Sequence, residues 1–438
     1  MLGRLHSINV GITPKLLAKN LAIVASAFVW YFLAYNLVTQ AAESIHVSSY
    51  ENLLIVGAGT AGMAISAVIG SLLTNRFWKR GPFLVSWMLA GVFLSLIPLA
   101  LTPSSASDLI AVSALFGSYF GLGMPTTMGF FASSTTPENR GRTGGITFFA
   151  IGLSFFILGN LGVGSVGMAS IVLAGIRLTG LILFFLLEPK EEPPLEQGRS
   201  TYKEVIRNRS FLLYFVPWIM FNIVDYLTIS VINNLFTVDF IRLSSVFESS
   251  LIAVLAIVTG FLIDMKGRKR LAIFGFAFLG IGYGFLGLSP DITGWMFYTI
   301  ANGIAWGILN VTFLFTLWGD IAQGRDNEKF YVMGALPYLF STLMYLLADP
   351  IMRGIDITKV FTFACIFLFL AVLPLIFAPE TLSEKVMKDL ELKTYLQKAQ
   401  KIAAKTQEKG EKEEEDSSVE FAVAQEEEEA EERAEECY

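Results

Sequence analysis

Twelve stretches of roughly 20 mostly apolar residues follow one another along this chain, each long enough to cross a hydrocarbon layer about 30 Å thick as a helix. They lie at 16–38, 51–74, 82–101, 106–132, 143–162, 165–187, 211–237, 245–264, 271–289, 293–319, 330–351 and 357–378. The apolar share of 54% and the charged share of 16% depart from a water-soluble domain in the same direction. The expected fold is an all-α membrane protein with twelve transmembrane helices. The softest break falls between the fifth and sixth stretches, where Gly159-Asn160-Leu161-Gly162-Val163-Gly164 is the only interruption.

The polar segments between spans carry the next constraint. Residues 260–270 read Gly-Phe-Leu-Ile-Asp-Met-Lys-Gly-Arg-Lys-Arg. Charges this dense cannot lie in hydrocarbon, so they mark a water-facing loop. A worn copy starts at Gly70, 190 residues earlier, and the Glu188-Pro189 and Pro379-Glu380 span endings repeat the same shift. A repeat of this period predicts two pseudo-symmetric six-helix bundles. Alternate loops hold the cations: Lys15 and Lys19, then Arg76 to Arg80, Arg140 and Arg142, Lys203 to Arg209, Lys266 to Arg270, and Arg325 with Lys329. The excess of positive charge places these loops, and both termini, on the cytoplasmic side of a cell membrane. The first apolar run is too long for a cleaved signal core.

The net charge of −6 divides unevenly. Residues 1–379 carry 23 Lys+Arg against 19 Asp+Glu, whereas residues 380–438 carry 9 against 19. The expected organisation is a first bundle (1–187), a cytoplasmic linker (188–210), a second bundle (211–379), an amphipathic helix (380–406) and an acidic disordered tail (407–438). Within the linker, Tyr202, Val205 and Ile206 recur at helical spacing and predict a short surface helix. Thr381-Leu382-Ser383-Glu384 has the form of a capping box and starts the later helix. The tail is Glu-rich and short of large apolar side chains, the composition of a chain that cannot bury a core. Cys365 and Cys437 give no disulfide framework.

Several residues could carry chemistry. Asp225 lies near the middle of the seventh stretch, one turn from Asn222. A carboxylate at bilayer depth costs about 2.5–3.5 kcal/mol, so it should face a cavity or a partner. Leaving water favours its neutral form, which makes it a candidate proton carrier; the alternative is a fixed structural acid. Arg177 is the one cation deep in a span, able to bind an anionic solute or simply to pair with polar groups. Polar and aromatic residues gather in four spans: Tyr35 and Asn36 in the first, Tyr119 in the fourth, Asn222 and Asp225 in the seventh, Trp306 and Asn310 in the tenth. That grouping suits a hydrated pocket for a small polar solute. Gly57-Ala58-Gly59-Thr60-Ala61-Gly62 spells a dinucleotide fingerprint, but no strand–helix–strand unit surrounds it. A close helix-packing face is the better reading. No phosphate loop, metal cluster or nucleophile constellation is visible, so the chain reads as no enzyme, with no cofactor and no nucleic-acid partner.

The membrane body resembles the major facilitator superfamily. Residues 260–270 match that family's G-x-x-x-D-x-x-G-R-K-R loop between spans 8 and 9, while the first-half copy has Thr74 in place of the acid and Phe77 in place of the glycine. Arg140-Gly141-Arg142 is similar to the basic turn after span 4, and Gly319-Asp320 with Arg325 to its counterpart after span 10. The resemblance implies two bundles that rock about a central cavity lined by spans 1, 4, 7 and 10. It also implies gating roles for Gly260, Asp264, Gly267, Arg268, Arg140, Arg142, Asp320 and Arg325, with Asp264 meeting the start of span 5. Pro379-Glu380-Thr381 is similar to the sugar-porter ending, but the rest of that pattern is missing. The function expected is secondary active transport of a small solute across the bilayer, coupled to protons, by a monomer. An exporter or facilitator of amphipathic compounds, a receptor with the same fold, and a membrane oxidoreductase are the competing readings.

Overall fold

The computed structural model describes residues 12–74, 79–160, 165–187, 200–352 and 354–382, with isolated helical positions between 387 and 400. Among these, twelve helices are long and apolar enough to cross a membrane. In chain order they are α1 (Pro14–Ser44), α2 (Ser49–Leu73), α3 (Arg80–Ala100), α4 (Ala106–Ser134), α5 (Arg140–Asn160) and α6 (Val166–Leu187). The second half holds α7 (Arg209–Leu235), α8 (Val238–Lys266), α9 (Arg268–Leu288), α10 (Ile292–Ala322), α11 (Asn327–Met352) and α12 (Ile357–Phe377). No strand occurs among the described residues. The helices outrun the apolar stretches because polar caps extend them: Ser48 with Glu51 and Ser105 with Asp108 close capping boxes ahead of α2 and α4. The largest extension is at α8, which begins at Val238 rather than at 245. The loop copy at 75–78, the break at 161–164, linker residues 188–199 and nearly all of 383–438 lie outside the described residues.

Packing reproduces the sequence repeat. In the first half α2 packs on α4, α3 on α6 and α1 on α6; in the second α8 packs on α10, α9 on α12 and α7 on α12. The halves meet through α5 against α8 and α2 against α11, which are equivalent under the same exchange. Small residues permit the tightest crossings. A Cβ on Gly117 would stand 2.1 Å from the Gly59 carbonyl oxygen, and one on Gly62 would stand 2.8 Å from that of Ala114. The Gly57–Gly62 fingerprint is therefore a face that seats α2 on α4. At the α5–α8 crossing, a Cβ on Gly145 would lie 2.3 Å from the Ala256 oxygen, and one on Gly260 would lie 2.6 Å from that of Gly141.

Helices α3, α5, α7 and α9 begin with Arg80, Arg140, Arg209 and Arg268, and α8 ends with Lys266, so one end of the molecule is basic. A linker helix (Tyr202–Arg207) lies against this end, capped by Thr201 and Glu204. Val205 is fully buried, but Ile206 is 47% exposed. A six-residue helix has one inward line, and Ile206 sits about 100° round from Val205, so the predicted apolar face narrows to Tyr202 and Val205. The Tyr202 hydroxyl lies 2.5 Å from Ser71 Oγ. Burial pushes that phenol above its ordinary value, against the lowering effect of the Ser71 hydrogen bond.

Candidate functional site: a central cavity, its closed end and a buried acid

Two adjoining cavities run between the halves. The outer one is lined by Tyr35, Thr39, Asn52, Thr60, Ser113 and Thr342, near the end where α1 finishes and α2 begins. It shares Tyr31 and Leu339 with an inner cavity lined by Phe28, Phe120, Met124, Met128, Phe313, Trp318, Tyr331 and Tyr338. The inner wall is aromatic and thioether, with phenols as its only hydroxyls. The Tyr331 hydroxyl is already engaged, donating to the Phe315 carbonyl oxygen at 2.5 Å. That carbonyl lies in a π-helical stretch of α10, Asn310–Thr316, whose widened turn redirects backbone acceptors.

The basic end is closed by contacts that cross from one half to the other. Asp264, on α8, accepts from the backbone N–H of Gly141 and of Arg142 at the start of α5, each at 2.9 Å. A carboxylate there meets unsatisfied helix N-terminal donors and the positive end of the helix dipole. Arg142 Nε and Arg268 stand 3.2 and 3.3 Å from the same carboxylate. Arg140, on α5, is ion-paired with buried Asp320 on α10. Arg268 Nε donates to Asp320 Oδ2 at 2.9 Å, and its Nη2 donates to the Pro137 carbonyl oxygen of the other half. Arg80 reaches Glu328 on α11 at 2.6 Å. Among the described residues no ion pair joins Arg325 to this network; it lines a polar cleft with Arg207, Glu204 and Glu380.

Gly267 joins α8 to α9 with φ 93°, a conformation that favours glycine. A side chain there would also strike Glu380, whose carboxylate accepts from the N–H groups of Arg268 at 2.9 Å and Lys269 at 3.1 Å. Glu380 thus caps α9 within one half, as Asp264 caps α5 across both.

Asp225 is 7% exposed and points into the second half. Its Oδ1 accepts from Trp306 Nε1 at 3.2 Å and from the Tyr283 hydroxyl at 3.4 Å. Tyr283 is itself 2.8 Å from Thr228 Oγ1. Among the described residues no cation pairs with Asp225. The acid does not line the two central cavities; it stands one ring behind them, since Trp306 packs on the cavity residue Tyr338 at 6.2 Å between centroids. No α7 residue lines either cavity, whereas α2 and α11 both do. Of the four spans expected to line the cavity, 1, 4 and 10 do and 7 does not; the outer wall is polar and the inner wall aromatic, while Trp306 of α10 is turned toward Asp225 of α7. Asn222 donates to the Trp218 carbonyl oxygen at 2.7 Å, and Asn310 is 5% exposed.

Arg177 is fully buried in the first half, with its guanidinium 4.1 Å from the Trp87 ring, 5.3 Å from that of Tyr119 and 5.6 Å from that of Trp30. Cation–π contact in such a desolvated site is worth about 2 kcal/mol. Tyr119 belongs to this cage and not to the cavity wall. Of the other candidates, Tyr35 lines the outer cavity, and Asn36 accepts from Gln40 at 3.3 Å on the same helix. Glu328 and Tyr283 carry no sequence signal of a role, and Glu380 is read there only as part of the Pro379-Glu380-Thr381 ending. Glu328 sits in a mixed-charge segment that reads as loop, and Glu380 marks the end of the last span and the start of the expected amphipathic helix.

The Major Facilitator Superfamily profile matches residues 20–325. No curated protein sequence matches the chain closely enough to count as a relative. Among solved structures, the human organic anion transporter MFSD10 (TETRAN) superposes with a TM-score of 0.59 at 15% identity, covering 82% of this chain and 97% of that one. The proton:xylose symporter XylE, bound to 6-bromo-6-deoxy-D-glucose, superposes with a TM-score of 0.57 at 14% identity, covering 86% and 98%. At these identities the likeness is one of fold.

Proposed function

This chain belongs to the major facilitator superfamily, and from that premise we propose that it moves a small solute by alternating access, coupled to protons through Asp225. The observation that carries the reading is the asymmetry of the path between the halves. A cavity leads inward from the end opposite the arginines, and ion pairs and a capped helix seal the basic end. Positive charge puts the basic end, and with it both termini, in the cytoplasm. The arrangement therefore represents an outward-facing state of a monomeric cell-membrane transporter. Opening the basic end while closing the other completes the cycle.

Coupling runs through Trp306. A solute against Tyr338 shifts the Trp306 ring, and Trp306 donates to Asp225. Gaining or losing that donor changes how readily Asp225 holds its proton. One positive charge crossing 100 mV gains about 2.3 kcal/mol, enough for roughly a 50-fold solute gradient at 1.4 kcal/mol per decade.

The aromatic inner wall favours a solute with apolar or aromatic surface, which keeps export or facilitated passage of amphipathic compounds as the second reading. A thermal-shift screen over polar and amphipathic solutes, followed by liposome flux with the hits, decides between them. Asp225→Asn should abolish the dependence of flux on a pH gradient and leave the protein folded. Flux that stays fully proton-dependent in this variant would show that coupling lies elsewhere.

A further inference from the structure

A second carboxylate, Glu248, meets the helix face that holds Asp225. Glu248 lies ten residues into α8, just inside the eighth apolar stretch, where the sequence alone gives it no role. It is half-buried, and Asn302 Nδ2 donates to its Oε1 at 2.5 Å. Asn302 shares one face of α10 with Tyr298 and Trp306, four residues to either side. Trp306 donates directly to Asp225, and Tyr298 reaches it through Tyr283, at 3.3 and then 3.4 Å. Glu248 therefore joins the same face of α10 between the two points that hold Asp225.

The groups around the two carboxylates are neutral: Trp306, Asn302, Thr228, and the phenols of Tyr283 and Tyr298, with Tyr226 and Tyr338 on the cavity side. Among the described residues neither acid has a Lys, Arg or His within ion-pair distance. The amide supplies an independent observation. Asn302 is 5% exposed, its Nδ2 is used by Glu248, and its Oδ1 has no hydrogen-bond partner. Asn222, one turn from Asp225 and 1% exposed, likewise leaves Oδ1 unused. A buried amide oxygen without a donor is costly. It is the acceptor that a protonated carboxyl group requires, because protonation turns an acceptor-only carboxylate into a donor.

We propose that Glu248 is a second proton-carrying site, with Asn302 as its two-state partner. Ionised Glu248 accepts from Nδ2. Once Glu248 takes a proton, its new O–H donates to Oδ1 after the amide turns over, and loss of the proton returns the amide. This inference rests on the proton-coupled reading above and extends it from one proton to two for each solute. At 100 mV, two charges raise the supportable gradient from roughly 50-fold to about 2,000-fold.

The test is infrared difference spectroscopy of the full chain in liposomes as buffer pH is stepped, with no solute needed. Among the buried carboxyl C=O bands, Glu248→Gln should remove one and Asp225→Asn a different one, with the bands of the buried acids at the basic end unchanged in both. Asn302→Leu, which keeps the carboxyl group, should shift the Glu248 band to a non-hydrogen-bonded frequency and leave the Asp225 band in place. Thermal melting of each variant separates loss of a band from loss of fold. If Glu248→Gln folds and removes no band, or if Asn302→Leu folds and moves neither band, the second site is wrong. Both bands present without proton-coupled flux would instead overturn the transport reading and leave the site standing.

Discussion

Removing the Asp264 carboxylate should open the basic end. In the closed arrangement that group accepts two backbone N–H bonds from the start of α5 at 2.9 Å each and faces Arg142 at 3.2 Å. When the halves part, water takes over the freed N–H groups, so the net worth is far below the sum of isolated bonds. A carboxylate at a partly buried helix N-terminus is worth up to about 2 kcal/mol. The Arg142 pair is partly exposed and adds about 0.2–1 kcal/mol. Asp264→Ala should therefore weaken the closed state by roughly 2–3 kcal/mol, which moves the open-to-closed ratio by roughly 30- to 150-fold. The remaining cross-half contacts, Arg140 with Asp320, Arg268 with Pro137 and Arg80 with Glu328, stay in place and keep closure possible.

The assay is alkylation of a cysteine placed at Met128, on the inner cavity, after replacement of Cys365 and Cys437. Reagent is applied from the basic side. Labelling should rise with the open fraction, by tens-fold if the wild type is mostly closed. Glu380→Gln is the control, because Glu380 caps α9 inside one half. It should cost stability without raising labelling. Labelling of Asp264→Ala at the wild-type rate would refute the latch and reduce Asp264 to a local cap.

Gly145→Ala should act in the same direction as Asp264→Ala, since the added methyl would stand 2.3 Å from the Ala256 carbonyl oxygen at the α5–α8 crossing; the same labelling assay checks it. Trp306→Phe keeps an aromatic ring beside Phe221 and Tyr338 but removes the N–H to Asp225. It should change the pH dependence of flux while leaving the melting temperature within a few degrees, read by liposome flux across a pH series. Deleting residues 407–438 should leave flux within about twofold at equal expression, because that segment has too little apolar surface to fold or to support the bundle.

The sequence alone determined the twelve spans, the basic end, the two-fold repeat and the motif around Asp264. Each of these is written in local composition: hydrocarbon thickness sets run length, dense charge marks a water-facing loop, and a repeat survives as spacing. It also placed Asp225 at depth. It did not determine which way that acid faces, because inside a membrane both the lipid and the protein interior are apolar, so a span carries little periodic sign of its buried side. Only the tertiary structure decided that Trp306, 81 residues from Asp225, is its donor. Packing likewise turned Arg177 and Tyr119 into a first-half cage and brought α2 and α11 to the cavity wall. It also set Glu248, near the start of the eighth stretch, against the α10 face that holds Asp225. These are contacts between helices far apart in the chain, and their physical cause is that polar groups withdrawn from water gain most from partners that packing brings together.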